Sequence, residues 1–291
     1  MYPELNLFGL KLDMYTVLMV VGVLLCMIFI RLQADWRGMR AKLQNLLLMN
    51  TVAAVVLGYG AAVLLQAFYN YMDDGVFEIT TGTGATFYGG LIGGTALFII
   101  IYFIVGHFLY PDGYHVRQFR AVSDLAAACI TVAHGFGRLG CLMAGCCYGK
   151  ACPADAWYGI YMEQAGGTVI PVQLYEALFL LALSAVFLWS YKKGTKYQLP
   201  SYMITYAVWR FVAETLRADD RGATVVDFLT PSQLVSLILL VGGIALLVVE
   251  ILLDRREDAS SEPVEATSAV VDEGDTTSTE GDTVSPKGDA V

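Results

Sequence analysis

The chain has 291 residues, of which 56% are hydrophobic and only 15% are charged, and its mean hydropathy is +0.58. Because soluble domains contain about 25% charged residues, this composition excludes an ordinary soluble domain and favours an integral membrane protein. The formal net charge of −9 comes entirely from residues 257–291, which contain ten Asp and Glu residues and one lysine. That segment has no aromatic residue and is rich in Ser, Thr and Gly, so we predict a disordered tail.

Seven apolar stretches follow one another along the chain, and each can form a helix of about 20 residues, the length that crosses a bilayer core. No basic cluster precedes the first stretch and no small-residue cleavage site follows it, so we interpret it as a retained span. The stretches are residues 14–30, 45–68, 86–110, 121–145, 171–190, 200–216 and 232–253. The sequence therefore predicts an all-α integral membrane protein with about seven transmembrane helices.

Lysine and arginine are distributed unevenly between the two sets of loops that seven spans create. If the amino terminus is outside, the inside segments contain eleven of these residues and the outside segments contain four. Positive residues accumulate on the cytoplasmic side of membrane proteins. We therefore predict an outside amino terminus, a membrane domain over residues 1–256 and a cytoplasmic tail over residues 257–291.

Four glycines, Gly89, Gly90, Gly93 and Gly94, form two overlapping small-xxx-small pairs at the start of the third span. This spacing lets two helices pack backbone to backbone in lipid. A packing seam is one interpretation of the pattern. A second interpretation, a place in a substrate site, depends on the resemblance described below.

Charged side chains within a span cost roughly 2.5–3.5 kcal/mol each on insertion scales and therefore indicate function. Arg138 is unpaired in the fourth span, whereas Arg210 and Glu214 are four residues apart in the sixth and can pair on one helix face. An internal salt bridge that only fixes packing is the alternative. Two arginines from different spans suit an anionic ligand such as a phospholipid head group, because guanidinium groups bind phosphate oxygens bidentately. Further polar residues in or beside the spans are Asp124, Glu176, Tyr206 and Arg217.

His134 lies four residues before Arg138 and therefore on the same helix face. A histidine beside glycine in an apolar helix is typically a packed, hydrogen-bonded side chain. Its ordinary pKa range also suits proton transfer. Both interpretations stay open.

Four cysteines, Cys141, Cys146, Cys147 and Cys152, follow a C-x4-C-C-x4-C pattern. Structural zinc sites usually combine two C-x2–4-C pairs, so we predict no metal. A disulfide from Cys152 to Cys146 or Cys147 is one alternative, and reduced hydrophobic packing is another. Direct chemistry by a thiol is the third.

Several of these blocks, taken in order, resemble the bacterial prolipoprotein diacylglyceryl transferase family. They are DLAAA at Asp124, GRLG at Gly137–Gly140, PVQLYEA at Pro171, YAVWRFVAETLR at Tyr206 and TPSQLVSLILLVGGI at Thr230. The resemblance extends over most of residues 5–253. It implies a membrane transferase that moves the diacylglyceryl group of phosphatidylglycerol, or a related anionic phospholipid, to the lipobox cysteine of a secreted preprotein.

The resemblance also implies roles for individual residues. Arg138, Arg210, Glu214, Tyr88 and His134 are the expected catalytic residues. The expected substrate-binding residues are Tyr206, Arg217, Gly89, Gly90, Gly137, Gly140 and Asp124. We expect no cofactor and no nucleic-acid partner, a monomer, and a location in the bacterial inner or plasma membrane.

Three positions depart from the family pattern and indicate a divergent, cysteine-bearing branch. Tyr88 stands where the family usually has histidine, Cys141 replaces an asparagine, and Cys146 replaces a glutamate. His134 is a candidate substitute for the missing base. Two other functions remain open: the same lipid site with a different acceptor, and a non-enzymatic lipid-binding or thiol-redox membrane protein.

Overall fold

The computed structural model describes residues 4–7, 10–80, 82–217 and 229–261. The α-helices of this part of the chain are α1 (Met14–Trp36), α2 (Ala41–Asp74), α3 (Phe87–Leu109), α4 (Tyr114–Ala144), α5 (Val172–Lys192), α6 (Gln198–Glu214) and α7 (Pro231–Ser261). Two antiparallel hairpins accompany them, β1 (Glu4–Leu7) with β2 (Leu10–Asp13) and β3 (Ile160–Met162) with β4 (Gly167–Val169). Helices therefore dominate the fold, as the sequence predicted.

Six of these helices are long and apolar enough to cross a membrane. The remaining helix, α6, has 17 residues and reaches about 25 Å at 1.5 Å per residue, less than the roughly 30 Å of a bilayer core. The prediction of an all-α, multi-pass membrane protein is confirmed. The orientation of the termini stays a prediction.

The last helix continues beyond the predicted end of the membrane domain at residue 256, because α7 ends at Ser261. Residues 262–291, which form most of the predicted acidic tail, lie outside the described residues. The chain divides into two compact units, Met1–Ile244 and Ala245–Val291. Every side chain of the candidate site belongs to the first unit.

The fourth helix is the centre of the first unit, since α4 packs against α1, α5 and α6. Close packing on α1 is possible because Gly22 has no side chain: a Cβ there would lie 2.9 Å from Cβ of Phe136. On the α5 side, the Ser184 hydroxyl donates to the Ala128 carbonyl oxygen at 2.8 Å. Neighbours on several sides therefore fix the part of α4 that holds His134 and Arg138.

The second and third helices pack against each other through the predicted glycine seam. A Cβ at Gly89 would lie 2.9 Å from Cα of Ala62, and one at Gly58 would lie 3.0 Å from Cα of Gly94. A Cβ at Gly90 would also meet Ala62, at 3.6 Å. The structure thus gives Gly89 and Gly90 a packing role, and their place in a substrate site stays a prediction.

The segment between α4 and α5 is anchored to the end of α6. The Gly149 N–H donates to the Ile170 carbonyl oxygen at 2.8 Å, and the Lys150 N–H donates to that of Leu216 at 2.9 Å. Gly149 also forms a β-bridge with Arg217. These bonds bring the cysteine-rich segment beside the arginine that follows α6.

Candidate active site

Arg138 forms an ion pair that the sequence did not reveal. Its Nε lies 2.9 Å from Oε2 of Glu176 on α5, and the carboxylate side chain is fully buried. The interpretation of Arg138 as an unpaired charge was therefore wrong. A carboxylate on the next helix in the sequence compensates the guanidinium within the bundle, so the cost of burying either charge is reduced.

Glu176 connects three helices. Its Oε1 accepts a hydrogen bond from the Tyr206 hydroxyl of α6 at 2.8 Å and lies 3.9 Å from Nε2 of His134 on α4. The His134 and Tyr206 rings meet edge to face with centroids 5.0 Å apart. The sequence predictions gave Glu176 no role, although its position inside an apolar span was the signal that could have found it.

The second arginine pairs on its own helix, as the spacing predicted. Nη2 of Arg210 lies 2.8 Å from Oε2 of Glu214 and donates to the Ser232 hydroxyl at 2.9 Å. The Thr230 hydroxyl donates to Oε1 of Glu214 at 3.2 Å. Arg210 is thus oriented by a carboxylate on one side and by the start of α7 on the other.

Both arginines retain donors for a ligand. Nη1 of Arg210 is buried and has no hydrogen-bond partner among the described residues. Within the same part of the chain, no hydrogen bond uses the terminal nitrogens of Arg138, whose side chain is 15% exposed. Glu176 lies within electrostatic range of both guanidinium groups. The site therefore combines two positive groups from different helices, each fixed by its own carboxylate.

Asp124 has a structural role that the sequence did not predict. Its Oδ1 accepts a hydrogen bond from the Gln198 backbone N–H at 2.6 Å, at the first residue of α6. Since Arg210 lies twelve residues further along that helix, the two are about 18 Å apart at 1.5 Å per residue. Asp124 therefore caps a helix end, and its contact with substrate stays a prediction.

Two glycines of the GRLG block pack against α1. A Cβ at Gly140 would lie 2.9 Å from Cδ2 of Tyr15, and one at Gly137 would lie 3.3 Å from Sδ of Met19. They let α1 approach the helix that holds Arg138, and their contact with substrate stays a prediction. Tyr15 and Met19 on α1 occupy the space that side chains at Gly140 and Gly137 would need.

Tyr88 is 39% exposed at the start of α3, with its ring edge to face with Phe87. No hydrogen bond or ion pair among the described residues connects it to His134 or Glu176. The structure places His134 and Tyr206 at Glu176, the partner of Arg138. The catalytic role of Tyr88 stays a prediction.

A second group of reactive side chains follows α4. The Sγ atoms of Cys141, Cys146 and Cys147 lie within 4.8 Å of one another. Hydrogen bonds with the Cys141 and Cys146 thiols, and then the Arg217 guanidinium, lower the pKa of the Cys147 thiol. Cys152 is outside this group, and all six cysteines are free thiols, so the expected disulfide to Cys152 is absent.

Comparison with known proteins extends over almost the whole chain. Residues 4–249 match the family model for prolipoprotein diacylglyceryl transferase. A relative from Clostridium perfringens, named phosphatidylglycerol–prolipoprotein diacylglyceryl transferase 2, is 30% identical over 87% of this chain and 96% of its own length. Proteins with the same name, without the numeral, from Clostridium tetani and Dehalococcoides mccartyi are 29% and 30% identical over 82% and 80% of this chain, and 93% and 86% of their own.

Proposed function

The chain belongs to the prolipoprotein diacylglyceryl transferase family, and on that premise we propose that it transfers the diacylglyceryl group of phosphatidylglycerol to a cysteine thiol of a secreted preprotein. The observation that carries this proposal is the pair of arginines, the partly buried Arg138 and the buried Arg210, which come from different helices and keep donors available. A phosphodiester has the charge and the oxygen geometry that such guanidinium groups bind.

The reaction makes one bond and breaks another. The acceptor sulfur bonds to the glyceryl carbon, while the bond from that carbon to the phosphate oxygen breaks and glycerol phosphate departs. Negative charge on the departing phosphate grows in the transition state, where fixed positive groups lower the barrier most. In this proposal Arg138 and Arg210 stabilise that charge. Glu176 and Glu214 hold the two arginines in position.

The remaining residues of the site have supporting roles in this proposal. Tyr206 holds Glu176 through its hydroxyl, and His134 lies at the same carboxylate. We propose His134 as the candidate base of this site because of its position, since its Nε2 lies 3.9 Å from the carboxylate that pairs with Arg138.

The experiment uses the purified full-length protein in mixed micelles with phosphatidylglycerol and a synthetic lipobox peptide. Mass spectrometry of the peptide should show the added diacylglyceryl group in thioether linkage. A peptide with serine in place of the lipobox cysteine is the matched control and should remain unmodified. No product, with a known transferase of the family active in parallel, would overturn the proposal.

The finer cellular placement is also part of the proposal. We infer a bacterial plasma membrane, a monomer, and an amino terminus on the outer side, supported by the excess of Lys and Arg in alternate loops. Single cysteines introduced at Asp112 and at Asp155, in a cysteine-free background, test the orientation with an impermeant thiol reagent on intact cells. Labelling at residue 112 with protection at residue 155 would reverse the inferred orientation.

A further inference from the structure

The three clustered thiols are spaced as metal ligands. The Sγ atoms of Cys141, Cys146 and Cys147 lie within 4.8 Å of one another. Three sulfurs bound to one Zn²⁺ at about 2.3 Å are about 3.8 Å apart in tetrahedral geometry. Small side-chain rotations therefore bring the group to a metal-binding arrangement. The spacing of the cysteines in the sequence did not match a structural zinc site. That spacing could not reveal the turn that brings Cys146 and Cys147 back to Cys141.

The backbone is shaped to make that turn. Gly145 caps the end of α4 with a φ of 71°, and the Cys146 N–H donates to the Cys141 carbonyl oxygen at 3.1 Å. Cys147 also has a left-handed backbone, with φ of 64°, a conformation that is unfavourable for a residue other than glycine. Gln173 fixes the turn by donating to the Cys146 carbonyl oxygen at 3.2 Å. Strain retained at such a position points to a functional constraint.

The surrounding charges suit a metal–thiolate complex. One Zn²⁺ bound by three thiolates has a single net negative charge. The Arg217 guanidinium hydrogen-bonds to Cys147, and Arg138 lies within electrostatic range of both Cys141 and Cys147. Positive groups beside the ligands stabilise the anionic complex, as outer-shell partners of metal sites do.

The group is also accessible from one side. Cys146 is exposed, whereas Cys141 and Cys147 are partly buried. Three protein ligands leave the fourth zinc position open, which is the arrangement of catalytic zinc sites and not of structural ones. A ligand that enters at the exposed side completes the tetrahedron.

We propose that Cys141, Cys146 and Cys147 bind one Zn²⁺ whose fourth position takes the acceptor thiol. The metal site depends only on the thiol geometry, whereas the identity of the fourth ligand rests on the proposed function. A thiol that coordinates zinc is deprotonated outright. Zinc would thus supply a nucleophilic thiolate beside the arginine site.

The step balances in atoms and electrons. In this proposal zinc replaces His134 as the means of deprotonating the acceptor thiol, which releases its proton to solvent when its sulfur binds Zn²⁺. The sulfur then forms the bond to the glyceryl carbon, and the carbon–oxygen bond breaks with its electron pair on the phosphate. The thioether product has no charge on sulfur, so it is a weaker zinc ligand and departs, leaving the site ready for another thiol.

Metal content tests the site independently of transfer. The full-length protein is purified in detergent with reductant, given a slight excess of Zn²⁺, freed of unbound metal and analysed by mass spectrometry for zinc. About one zinc per chain is expected for the wild type and for Cys152→Ser, the matched control from the same segment. Cys147→Ser and Cys146→Ser should bind zinc at least about tenfold more weakly.

A fold control accompanies these variants, since Cys147 is partly buried. Unchanged helical circular dichroism and elution volume show that a variant is folded, and Cys146, being exposed, is the position least able to disturb packing. Zinc bound equally by the wild type, Cys146→Ser and Cys147→Ser would overturn the site. A wild type that retains no zinc would overturn it as well.

Cobalt reports on the fourth ligand without any transfer of lipid. Co²⁺ bound in place of zinc gives sulfur-to-metal absorption bands that change when a thiol joins the metal. Adding a lipobox peptide should change the spectrum, and the same peptide with serine for cysteine should not. An unchanged spectrum would overturn the proposal that the fourth metal position binds the acceptor thiol. A changed spectrum without diacylglyceryl product would instead overturn the proposed function and leave the thiol site standing.

Discussion

The arginine site and the thiol group lie side by side, and they are built in opposite ways. Arg138 and Arg210 are held within helices, partly buried and buried respectively, and compensated by Glu176 and Glu214 at 2.9 Å and 2.8 Å. The thiols are gathered by a turn with two left-handed residues, and one of them is exposed. A charge inside an apolar bundle needs a counter-charge held at a fixed position. Thiol ligands need only lie close enough to bind one metal ion. The difference suggests that one region fixes the lipid phosphate while the other receives the mobile acceptor.

Replacing either arginine should have the largest effect. Arg210→Ala and Arg138→Ala should each lower the transfer rate about 10²–10³-fold, the cost of removing one group that stabilises transition-state charge. Arg117→Ala is the matched control, because that side chain is 62% exposed at the start of α4. Rates come from the mass-spectrometric peptide assay. A folded Arg210→Ala protein with the wild-type rate would contradict the proposal that this region binds the lipid phosphate.

Glu176→Gln should show that the arginine site depends on the carboxylate that neutralises Arg138. The change keeps the side-chain volume but leaves Arg138 without its counter-charge, and breaking a buried pair costs about 3 kcal/mol or more. A lower thermal-unfolding midpoint in detergent, together with reduced transfer, is expected. Glu163→Gln, at an exposed glutamate, should leave the midpoint unchanged. Equal midpoints for the two variants would contradict the importance of the ion pair.

Zinc removal should separate the two regions. Chelation of the purified protein should lower kcat for the peptide thiol at least about tenfold, the lower range of what activation of a nucleophile contributes. KM for phosphatidylglycerol should change less than kcat, because Arg138 and Arg210 are held in position by Glu176 and Glu214 and not by the thiols. Added Zn²⁺ should restore the rate. An effect confined to lipid KM would reverse the assignment of the regions.

Tyr206→Phe should have a smaller effect within the arginine site. It removes the hydroxyl that donates to Glu176 at 2.8 Å, and one such bond is worth about 1 kcal/mol, or about fivefold in rate. Tyr202→Phe is the control, since that ring stacks on Tyr206 with centroids 5.8 Å apart. Similar rates for both variants would mean that ring packing, and not the hydroxyl, positions Glu176.

Deleting residues 262–291 should have the smallest effect. The cut follows the last described residue of α7, Ser261, and removes most of the acidic segment. Because both regions of the site lie in the first compact unit, the transfer rate and the zinc content should equal those of the full chain. A truncated protein that inserts in the membrane and has no activity would assign the segment a function.

Much of the arginine site could be predicted from local spacing. Arg210 and Glu214 are one helical turn apart, so the sequence alone placed them on one face. The partner of Arg138 lies on another helix, 38 residues away, and no periodicity within a span contains that information. The same limit applies to the glycines. Their small size indicated that another group approaches them closely, and only the packed helices identified a neighbouring helix as that group.

The sequence by itself determined that this is a helical membrane protein of the transferase family, because apolar length and motif order are properties of the chain. It also determined that Arg138 is unusual, since a charge in an apolar span is visible without coordinates. The tertiary structure alone decided that Glu176 joins His134, Arg138 and Tyr206. It also decided that three thiols converge. Ion pairs between helices and metal sites at turns depend on distances in space, which separation along the chain does not specify.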